Sequence, residues 1–315
     1  MRAFVVPGPG QQAKIEQISA PKPADDEILV RVVAAGVNPV DWKSIERKER
    51  PFPAIVGQDF AGVVEAAGDD VEGFKPGDRV FGISREHGAF AEFTLVPQDD
   101  RRQPIAHMPE GLSFADAAAL PTAGLTALAA LDVLRVGAGA RVLILGLTGG
   151  VGSLAAQLAQ YRGAQVTGTA HSEKHRLVEQ LGTVKTIPYD LVDLVEAARS
   201  ETPEGYDAVL DLVDDRPNSG KLATIIKGGG AIVSTIGGVD EELFAHHSIA
   251  ATNIVMDETA TSSPRGLAEL GRFVVGGLLR VPLTQEPALE KAADALDASR
   301  HGNTTGKTVL MVGSA

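Results

Sequence analysis

The stretch that decides the fold is Arg141-Val-Leu-Ile-Leu-Gly-Leu-Thr-Gly-Gly-Val-Gly-Ser-Leu-Ala-Ala-Gln-Leu-Ala-Gln160. The apolar run from Val142 to Leu145 predicts a buried strand, and the residues from Gly150 onward predict a helix. The glycines between them predict a turn at which the backbone can approach a pyrophosphate. The helix that follows would direct its free N–H groups and the positive end of its dipole at that anion. This strand–turn–helix pattern is typical of a dinucleotide site.

The glycine spacing differs from the usual dinucleotide fingerprint. The segment Gly146-Leu-Thr-Gly-Gly-Val-Gly152 is Gly-x-x-Gly-x-x-Gly, with one residue more in the turn than G-x-G-x-x-G. A glycine-rich turn that serves only close packing is the alternative interpretation. Its position between a strand and a helix, inside a βαβ pattern, favours the dinucleotide site.

The end of the next predicted strand, 165–169, indicates which nucleotide is bound. In an NAD site an acid near this point binds the ribose hydroxyls, and no acid ends this strand. Ser172, Lys174, His175 and Arg176 follow instead. They could supply hydrogen-bond donors and positive charge to a 2′-phosphate, which favours NADPH over NADH. Lys174 and Arg176 could equally be solvated helix residues. Glu173, an acid in the same segment, favours NADH instead.

Composition excludes several classes of function. The chain has 315 residues, a length that suits two domains, and 44% of them are hydrophobic. A net charge of −12 argues against nucleic-acid and anionic-membrane binding. Cysteine is absent, which excludes thiolate nucleophiles and Cys-based zinc sites and fits a cytoplasmic location. The seven histidines show no metal-ligand spacing, so we expect no bound metal.

The pattern of hydrophobic and polar residues changes near Ser113. Before it, short β-branched runs between Gly, Pro and Asp clusters predict a compact, mostly β domain. After it, helical patterns and apolar runs alternate, which predicts a doubly wound parallel sheet closed by a strand at 252–256. The tail predicts helices near 264–277 and 287–299. A last strand, Thr308–Val312, could return to the first domain.

A second group of polar residues follows a predicted strand in the first domain, in Ala34-Ala-Gly-Val-Asn-Pro-Val-Asp-Trp-Lys43. Asn38 and Asp41 can form hydrogen bonds, Lys43 can donate to an anion or carbonyl, and Trp42 offers a stacking face. Asn-Pro and Asp are also common turn residues. On spacing alone, a turn is the favoured interpretation.

Several motifs in order along the chain together resemble the medium-chain dehydrogenase/reductase superfamily, in its zinc-free quinone oxidoreductase (zeta-crystallin-like) branch. Besides the glycine turn, they are Gly36-Val-Asn-Pro-Val-Asp41, Gly57-Gln-Asp-Phe-Ala-Gly-Val-Val64, Phe74-Lys-Pro-Gly-Asp-Arg-Val80, Gly88-Ala-Phe-Ala-Glu92, Leu120-Pro-Thr-Ala-Gly-Leu-Thr-Ala127 and Thr305-Gly-Lys-Thr-Val-Leu310. The resemblance covers nearly the whole chain.

The resemblance implies an α/β protein in two domains with the cofactor in the cleft between them. A GroES-like, mostly β catalytic domain would span 1–117 and be completed by 264–315, and a Rossmann domain would span 118–263. Zinc-dependent relatives have a Cys and a His-Glu pair where this chain has Asn38 and Gln58-Asp59. The resemblance therefore implies a reaction without zinc.

The resemblance also implies roles for particular residues. Asn38, Asp41 and Lys43 would be the catalytic candidates, with Asn38 and Lys43 contacting the carbonyl or the ribose. Tyr189 could instead be a packing aromatic, and Thr126 could be a core hydroxyl bonded to backbone. The residues implied to bind the cofactor are Trp42, Lys43, Thr126, Thr148, Gly149, Gly150, Val151, Ser172, Lys174, Tyr189, Ile236 and Gly237.

The implied activity is NADPH-dependent reduction of a quinone or an α,β-unsaturated carbonyl, with a small-molecule substrate and a homodimeric assembly. An enoyl-thioester or alkenal reductase on the same scaffold is one alternative. A redox-silent NADPH-binding protein is another. One departure from the family lies in Asp211-Leu-Val-Asp-Asp-Arg216, where relatives have small residues. We expect these acids to face solvent.

Overall fold

A computed structural model of the chain describes residues 1–48, 51–182, 184–213, 219–302 and 304–314. It divides into two compact units. The first comprises Met1–Leu125, Ser262–Gly277 and Leu283–Ala315, and the second comprises Thr126–Thr261 and Leu278–Pro282. The domain boundaries expected from the sequence, 1–117 with 264–315 and 118–263, remain a proposal.

The first unit is built on β-strands, and its β-branched runs suit them because most of these strands are buried over nearly their whole length. Its strands are β1 (Arg2–Val6), β2 (Lys14–Gln17), β3 (Glu27–Gly36), β4 (Ala54–Ile55), β5 (Asp59–Ala67), β6 (Arg79–Ile83), β7 (Phe93–Pro97), β8 (Ile105–His107), β15 (Leu283–Gln285) and β16 (Lys307–Met311). The larger sheet has the order β15-β16-β3-β5-β6-β8, with β7 also paired to β3. The smaller sheet has the order β2-β1-β4.

Helices and an apolar core complete this unit. The helices are α1 (Pro39–Glu46), α2 (Phe114–Ala119), α9 (Pro264–Val275) and α10 (Ala292–Arg300). The core includes Phe60 and Phe90, both fully buried, with Leu310 from the last strand beside them. β16 pairs antiparallel with β3, so two strands far apart in sequence are neighbours in the larger sheet.

The second unit is a parallel sheet with helical crossovers. Its strands are β9 (Arg141–Leu145), β10 (Gln165–Ala170), β11 (Lys185–Pro188), β12 (Tyr206–Asp211), β13 (Ile226–Ser234) and β14 (Ala250–Asn253). They lie in the order β11-β10-β9-β12-β13-β14, and every pairing is parallel. The α/β fold class, a GroES-like domain with a Rossmann sheet, is therefore confirmed.

The crossover helices are α4 (Gly150–Tyr161), α5 (His175–Gln180), α6 (Leu194–Glu201), α7 (Ser219–Leu222) and α8 (Glu241–His246), and α3 (Pro121–Val133) leads into this unit from the first. Two of the crossover helices begin at a capping aspartate, Asp193 before α6 and Asp240 before α8. Strand order reverses between β9 and β12, because the chain first builds outward to β11 and then returns. In such sheets ligands bind at the carboxyl ends of the strands beside this reversal.

Several local expectations need correction. The stretch after β3 is not only a turn, because Pro39 fixes the first helical position of α1 and the Asp41 carboxylate accepts a hydrogen bond from the Asn38 amide. The pattern of the sequence between 190 and 199 predicts a helix, and the structure starts it at Leu194, since Asp193 caps it there. The strand expected at 252–256 ends at Asn253.

Candidate functional site

The glycine turn after β9 has the geometry that a pyrophosphate site needs. Gly146 has φ +85°, a conformation that glycine adopts without strain. A Cβ added at Gly152 would lie 2.3 Å from the carbonyl oxygen of Gly146, so only glycine allows α4 to pack this closely on the turn. Gly149 is the N-cap of α4, and its added Cβ would meet only that same oxygen, at 3.4 Å.

The turn therefore leaves a helix N-terminus open to an anion. Thr148, Gly149, Gly150 and Val151 are all half-buried rather than covered. The helix that starts here has twelve residues, and its first N–H groups have no partner within the helix. A helix N-terminus of this kind suits an anion such as a phosphate.

The neighbouring strands bring a second group of residues to the same edge. β10 and β11 are parallel, with Ala170 opposite Pro188, so Ser172 and Tyr189 leave the sheet side by side. The Tyr189 side chain is exposed and its ring lies edge-on to His171, with 6.0 Å between the ring centroids. Lys174 ends a short 3₁₀ turn that starts at Ser172.

Sequence reasoning missed one residue here, Asp190. The amide and the hydroxyl of Ser172 both donate to its carboxylate, at 2.8 and 2.6 Å. Hydrogen bonding from Ser172 lowers the pKa of Asp190, so the group is ionised at neutral pH. Its position directly after Tyr189 was the available signal, because β11 ends beside β10.

Ile236 and Gly237 follow β13 at the same carboxyl edge. The Ile236 amide donates to the Ser234 hydroxyl at 3.3 Å, and Gly237 has φ +78° with open space where a side chain would be. Asp211, at the end of β12, is buried and accepts a hydrogen bond from the Val213 amide. The acids Asp214 and Asp215, expected to face solvent, lie outside the described residues.

Trp42 and Lys43 lie on α1 in the first unit, and Thr126 is the one predicted cofactor residue of the second unit that does not follow a strand. It lies in α3 and not after a strand of the parallel sheet, and its side chain is buried. Thr126 therefore belongs to a helix and not to the carboxyl edge of the sheet. The predicted residues at that edge are Thr148 to Val151, Ser172, Lys174, Tyr189, Ile236 and Gly237.

The first unit contains a buried polar network around Asn38. The Asn38 side-chain amide donates to the Asp59 carboxylate at 2.9 Å, and the Lys307 ammonium donates to the Asn38 side-chain oxygen at 2.5 Å. Lys307 also donates to the backbone oxygen of Val37 at 3.0 Å. Thr122 donates to Asp59 through both its amide and its hydroxyl. Four distant parts of the chain therefore meet in one site.

The two charged members of this network are almost completely removed from solvent. Burial raises the pKa of Asp59, and the Lys307 charge and the hydrogen bonds from Thr122 and Asn38 oppose that rise. Burial lowers the pKa of Lys307, and the carboxylates of Asp59 and Asp41 oppose that fall. Each group thus limits the cost of burying the other.

The catalytic candidates Asn38, Asp41 and Lys43 have different surroundings. Asn38 and Asp41 are buried and are joined by the hydrogen bond from the Asn38 amide to the Asp41 carboxylate. Lys43 is half-buried, with its ammonium 5.5 Å from the centroid of the Trp42 ring. The Trp42 indole nitrogen is buried, and no described residue accepts its hydrogen. Lys43 is therefore the candidate with the most accessible charged group.

Asp59 and Lys307 were not predicted as site residues. Both lie in motifs that carry the family resemblance, Gly57-Gln-Asp and Thr-Gly-Lys-Thr, but nothing local indicates that they approach Asn38. Gln58 joins the network through the Thr122 hydroxyl, to which its side-chain amide donates at 2.7 Å.

No group of three metal-binding side chains occurs among the residues that the structure describes. Within the same ranges, none of the helices is both long and apolar enough to span a membrane.

Comparison with protein families matches both parts of the chain. Residues 24–109 match the alcohol dehydrogenase GroES-like domain, and residues 181–310 match the zinc-binding dehydrogenase family. The first match covers β3, α1 and β5 and therefore includes Asn38 and Asp59, whereas Thr122 and Lys307 lie outside it.

Individual relatives match over almost the full chain. The quinone oxidoreductase of Mus musculus is 32% identical over 99% of this chain and 97% of its own length. The NADPH-dependent alkenal/one oxidoreductase of Arabidopsis thaliana is 31% identical over 93% of this chain and 74% of its own length. The solved structure of the quinone oxidoreductase from Coxiella burnetii matches with a TM-score of 0.89, at 31% identity and over 99% of both chains.

Proposed function

Because the chain belongs to the medium-chain dehydrogenase/reductase superfamily, we propose that it is an NADPH-dependent reductase of quinones or α,β-unsaturated carbonyls that works without zinc. The observation that carries this proposal is the full-length match to a quinone oxidoreductase, over 99% of this chain. Such coverage includes both the nucleotide edge and the network around Asn38.

The residues at the nucleotide edge fit the proposed cofactor. The amides of Thr148 to Val151 would hold the pyrophosphate at the N-terminus of α4. Ser172 and Lys174 would bind the 2′-phosphate, and Tyr189 would lie against the adenosine. Thr126, Ile236 and Gly237 would border the nicotinamide. NADPH, when bound, supplies the hydride that reduces the electron-poor carbon of the substrate.

The substrate end is assigned to the start of α1. Lys43 can donate a hydrogen bond to a carbonyl oxygen and stabilise the negative charge that develops there, and Trp42 offers an apolar surface. Asn38 and Asp41 hold the first turn of α1 and so orient Lys43. No single general acid is required of these residues, since water can supply the proton.

The donor set around Asn38 supports a reaction without zinc. Zinc prefers thiolate, imidazole and carboxylate ligands. Here the Asn38 amide is already bound on both sides, and the Lys307 ammonium lies 2.5 Å from its oxygen. A divalent cation at that point would be repelled by the ammonium. Asn38 and Asp59, at positions where zinc-dependent relatives have ligands, are therefore already engaged in hydrogen bonds within this chain.

The test is oxidation of NADPH by the purified protein, followed by the absorbance of the reduced nicotinamide. We would use para-benzoquinone and an enone as separate acceptors, run NADH in parallel, and include EDTA. Turnover with NADPH that EDTA leaves unchanged supports the proposal. Turnover that EDTA abolishes would contradict zinc independence, and turnover with neither acceptor would contradict the reductase assignment.

An alkenal or enone substrate is a second candidate, favoured by the similarity to the Arabidopsis alkenal/one oxidoreductase. The two acceptors in the assay separate it from a quinone substrate. An enoyl thioester as a third acceptor tests the related branch. Binding of NADPH without turnover on any of the three would support a redox-silent protein instead.

A homodimer and a cytoplasmic location belong to the same proposal. β14 is the edge strand of the parallel sheet, and its backbone groups on one side have no partner strand within the described residues. Val255, just beyond this strand, is an exposed apolar residue. Edge-to-edge pairing of two copies would cover both features. Sedimentation velocity at micromolar concentration tests this, and a monomer would contradict it.

A further inference from the structure

Asp190 lies beside the residues proposed to bind the 2′-phosphate, the group that NADPH has and NADH lacks. β10 and β11 end side by side, and the turn after β11 brings the Asp190 carboxylate against Ser172. Both donors of Ser172, its amide and its hydroxyl, point to this carboxylate. His171 is the nearest titratable group, with its Nε2 3.7 Å from a carboxylate oxygen.

The contacts of Asp190 conflict with the role proposed for Ser172. A 2′-phosphate carries about two negative charges and needs N–H and O–H donors, as phosphates in general do. The donors that Ser172 could offer are already used by an ionised carboxylate. A phosphate here must share those donors with Asp190 and approach its negative charge. A ribose 2′-hydroxyl meets no such obstacle, because it can donate to the carboxylate.

Resting on the proposed function, we propose that Asp190 is a specificity-determining residue. It weakens binding of the 2′-phosphate and narrows the preference for NADPH over NADH that Ser172 and Lys174 would otherwise confer. Lys174 supplies the compensating positive charge from the other end of the 3₁₀ turn. The acid of an NAD site is thus provided by the strand next to the expected one.

The alternative is that Asp190 only holds the 3₁₀ turn of Ser172–Lys174 in shape. In that case its carboxylate would present Ser172 and Lys174 to the phosphate, and its removal would weaken phosphate binding. The two interpretations predict opposite changes, so the sign of one measurement separates them.

The experiment compares two fragments that differ only in the 2′-phosphate, 2′,5′-ADP and 5′-AMP. Their dissociation constants are measured by isothermal titration calorimetry on the full chain and on Asp190→Asn, at one ionic strength. Asparagine keeps the shape and removes the charge. We expect the affinity for 2′,5′-ADP to rise about fivefold, while that for 5′-AMP stays equal or falls, since a single partly exposed charge has effects of this size.

A matched control removes a charge elsewhere in the second unit. Asp132 pairs with Arg162, which precedes β10, so it lies toward the opposite edge of the sheet. Asp132→Asn should leave the ratio of the two affinities unchanged. Asp190→Ser, which keeps a hydrogen-bonding group without the charge, repeats the measurement if the asparagine variant does not fold.

The outcomes are distinct. An unchanged or reduced affinity for 2′,5′-ADP in both Asp190 variants would overturn the inference and leave the proposed function standing. Failure of both fragments to bind the unmodified chain would overturn the nucleotide site, and with it both proposals. The same change in Asp132→Asn would assign the effect to net charge and overturn the role of Asp190.

Discussion

Lys307 illustrates how much one residue can depend on distant parts of the chain. Its ammonium is nearly fully buried and binds the Asn38 side chain and the Val37 backbone, while Asp59 supplies the balancing negative charge. A buried charge is stable only while its partners remain. Lys307 therefore ties β16 to the segment that precedes α1.

Replacing Lys307 tests that dependence. Lys307→Met should lower the free energy of unfolding by about 3–5 kcal/mol, because it leaves the Asp59 carboxylate buried without a positive neighbour. Urea denaturation measures the change. Adding Asp59→Asn should recover part of the loss, since the uncompensated charge is then removed.

The control is a lysine with an exposed partner. Lys291 pairs with Asp294 on the surface, so Lys291→Met should change the free energy of unfolding by no more than about 0.5 kcal/mol. Equal effects of the two methionine substitutions, or strict additivity of Lys307→Met with Asp59→Asn, would show that the buried charges are not coupled.

At the scale of elements, the junction of β9 and α4 was predictable in detail. An apolar run, a glycine cluster and a helical pattern are all local signals, and the structure places a strand, a turn and a helix there. The start of α1 was not predictable in the same way. Asn-Pro and Asp suit a turn and a capped helix equally well, and the cap formed by Asp41 decides between them.

Gly152 provides the prediction at this scale. A methyl group at this position would lie 2.3 Å from the Gly146 oxygen, so Gly152→Ala must displace the first turn of α4. We expect the free energy of unfolding to fall by about 1–3 kcal/mol and NADPH binding to weaken at least in step. Urea denaturation and titration of the reduced nicotinamide fluorescence measure the two effects.

Gly137 is the matched control, because a Cβ added there meets no atom within 4 Å. Gly137→Ala should leave NADPH binding unchanged and the free energy of unfolding within about 0.5 kcal/mol. A Gly152→Ala variant as stable as this control, and equally able to bind NADPH, would mean that close packing of α4 on the turn is not required.

At the scale of the whole molecule, the chain folds back on itself. β16 lies between β15 and β3, although nearly the entire second unit separates it from β3 in sequence. Val309 and Leu310 of this strand are fully buried. The first unit therefore cannot complete its sheet before the end of the chain has been made.

A truncation tests this dependence. A chain that ends at Gly306 lacks β16 and exposes the edge of β3, so we expect it to lose cooperative thermal unfolding and to aggregate. Circular dichroism and light scattering report the two effects. A chain that ends at Gly313 keeps β16 and should behave like the full protein. A cooperative, soluble chain ending at Gly306 would show that β16 adds little to the first unit.

The sequence alone determined the fold class, the dinucleotide turn and the family, because each depends on patterns within a few residues or on motifs in a fixed order. Hydrophobic period, glycine position and capping residues are local properties that the unfolded chain already carries. The residues assigned to the cofactor were named from the family motifs, and their roles remain a proposal.

Only the tertiary structure decided which polar and charged side chains contact each other. Asp190 reaches Ser172 because β10 and β11 happen to be neighbours, and Lys307 reaches Asn38 because β16 joins β3. Neither contact has a local signature, since a single aspartate or lysine in sequence is most often a solvated surface residue. Burial and pairing, which exist only in the folded chain, bring Asp190 to Ser172 and Lys307 to Asn38.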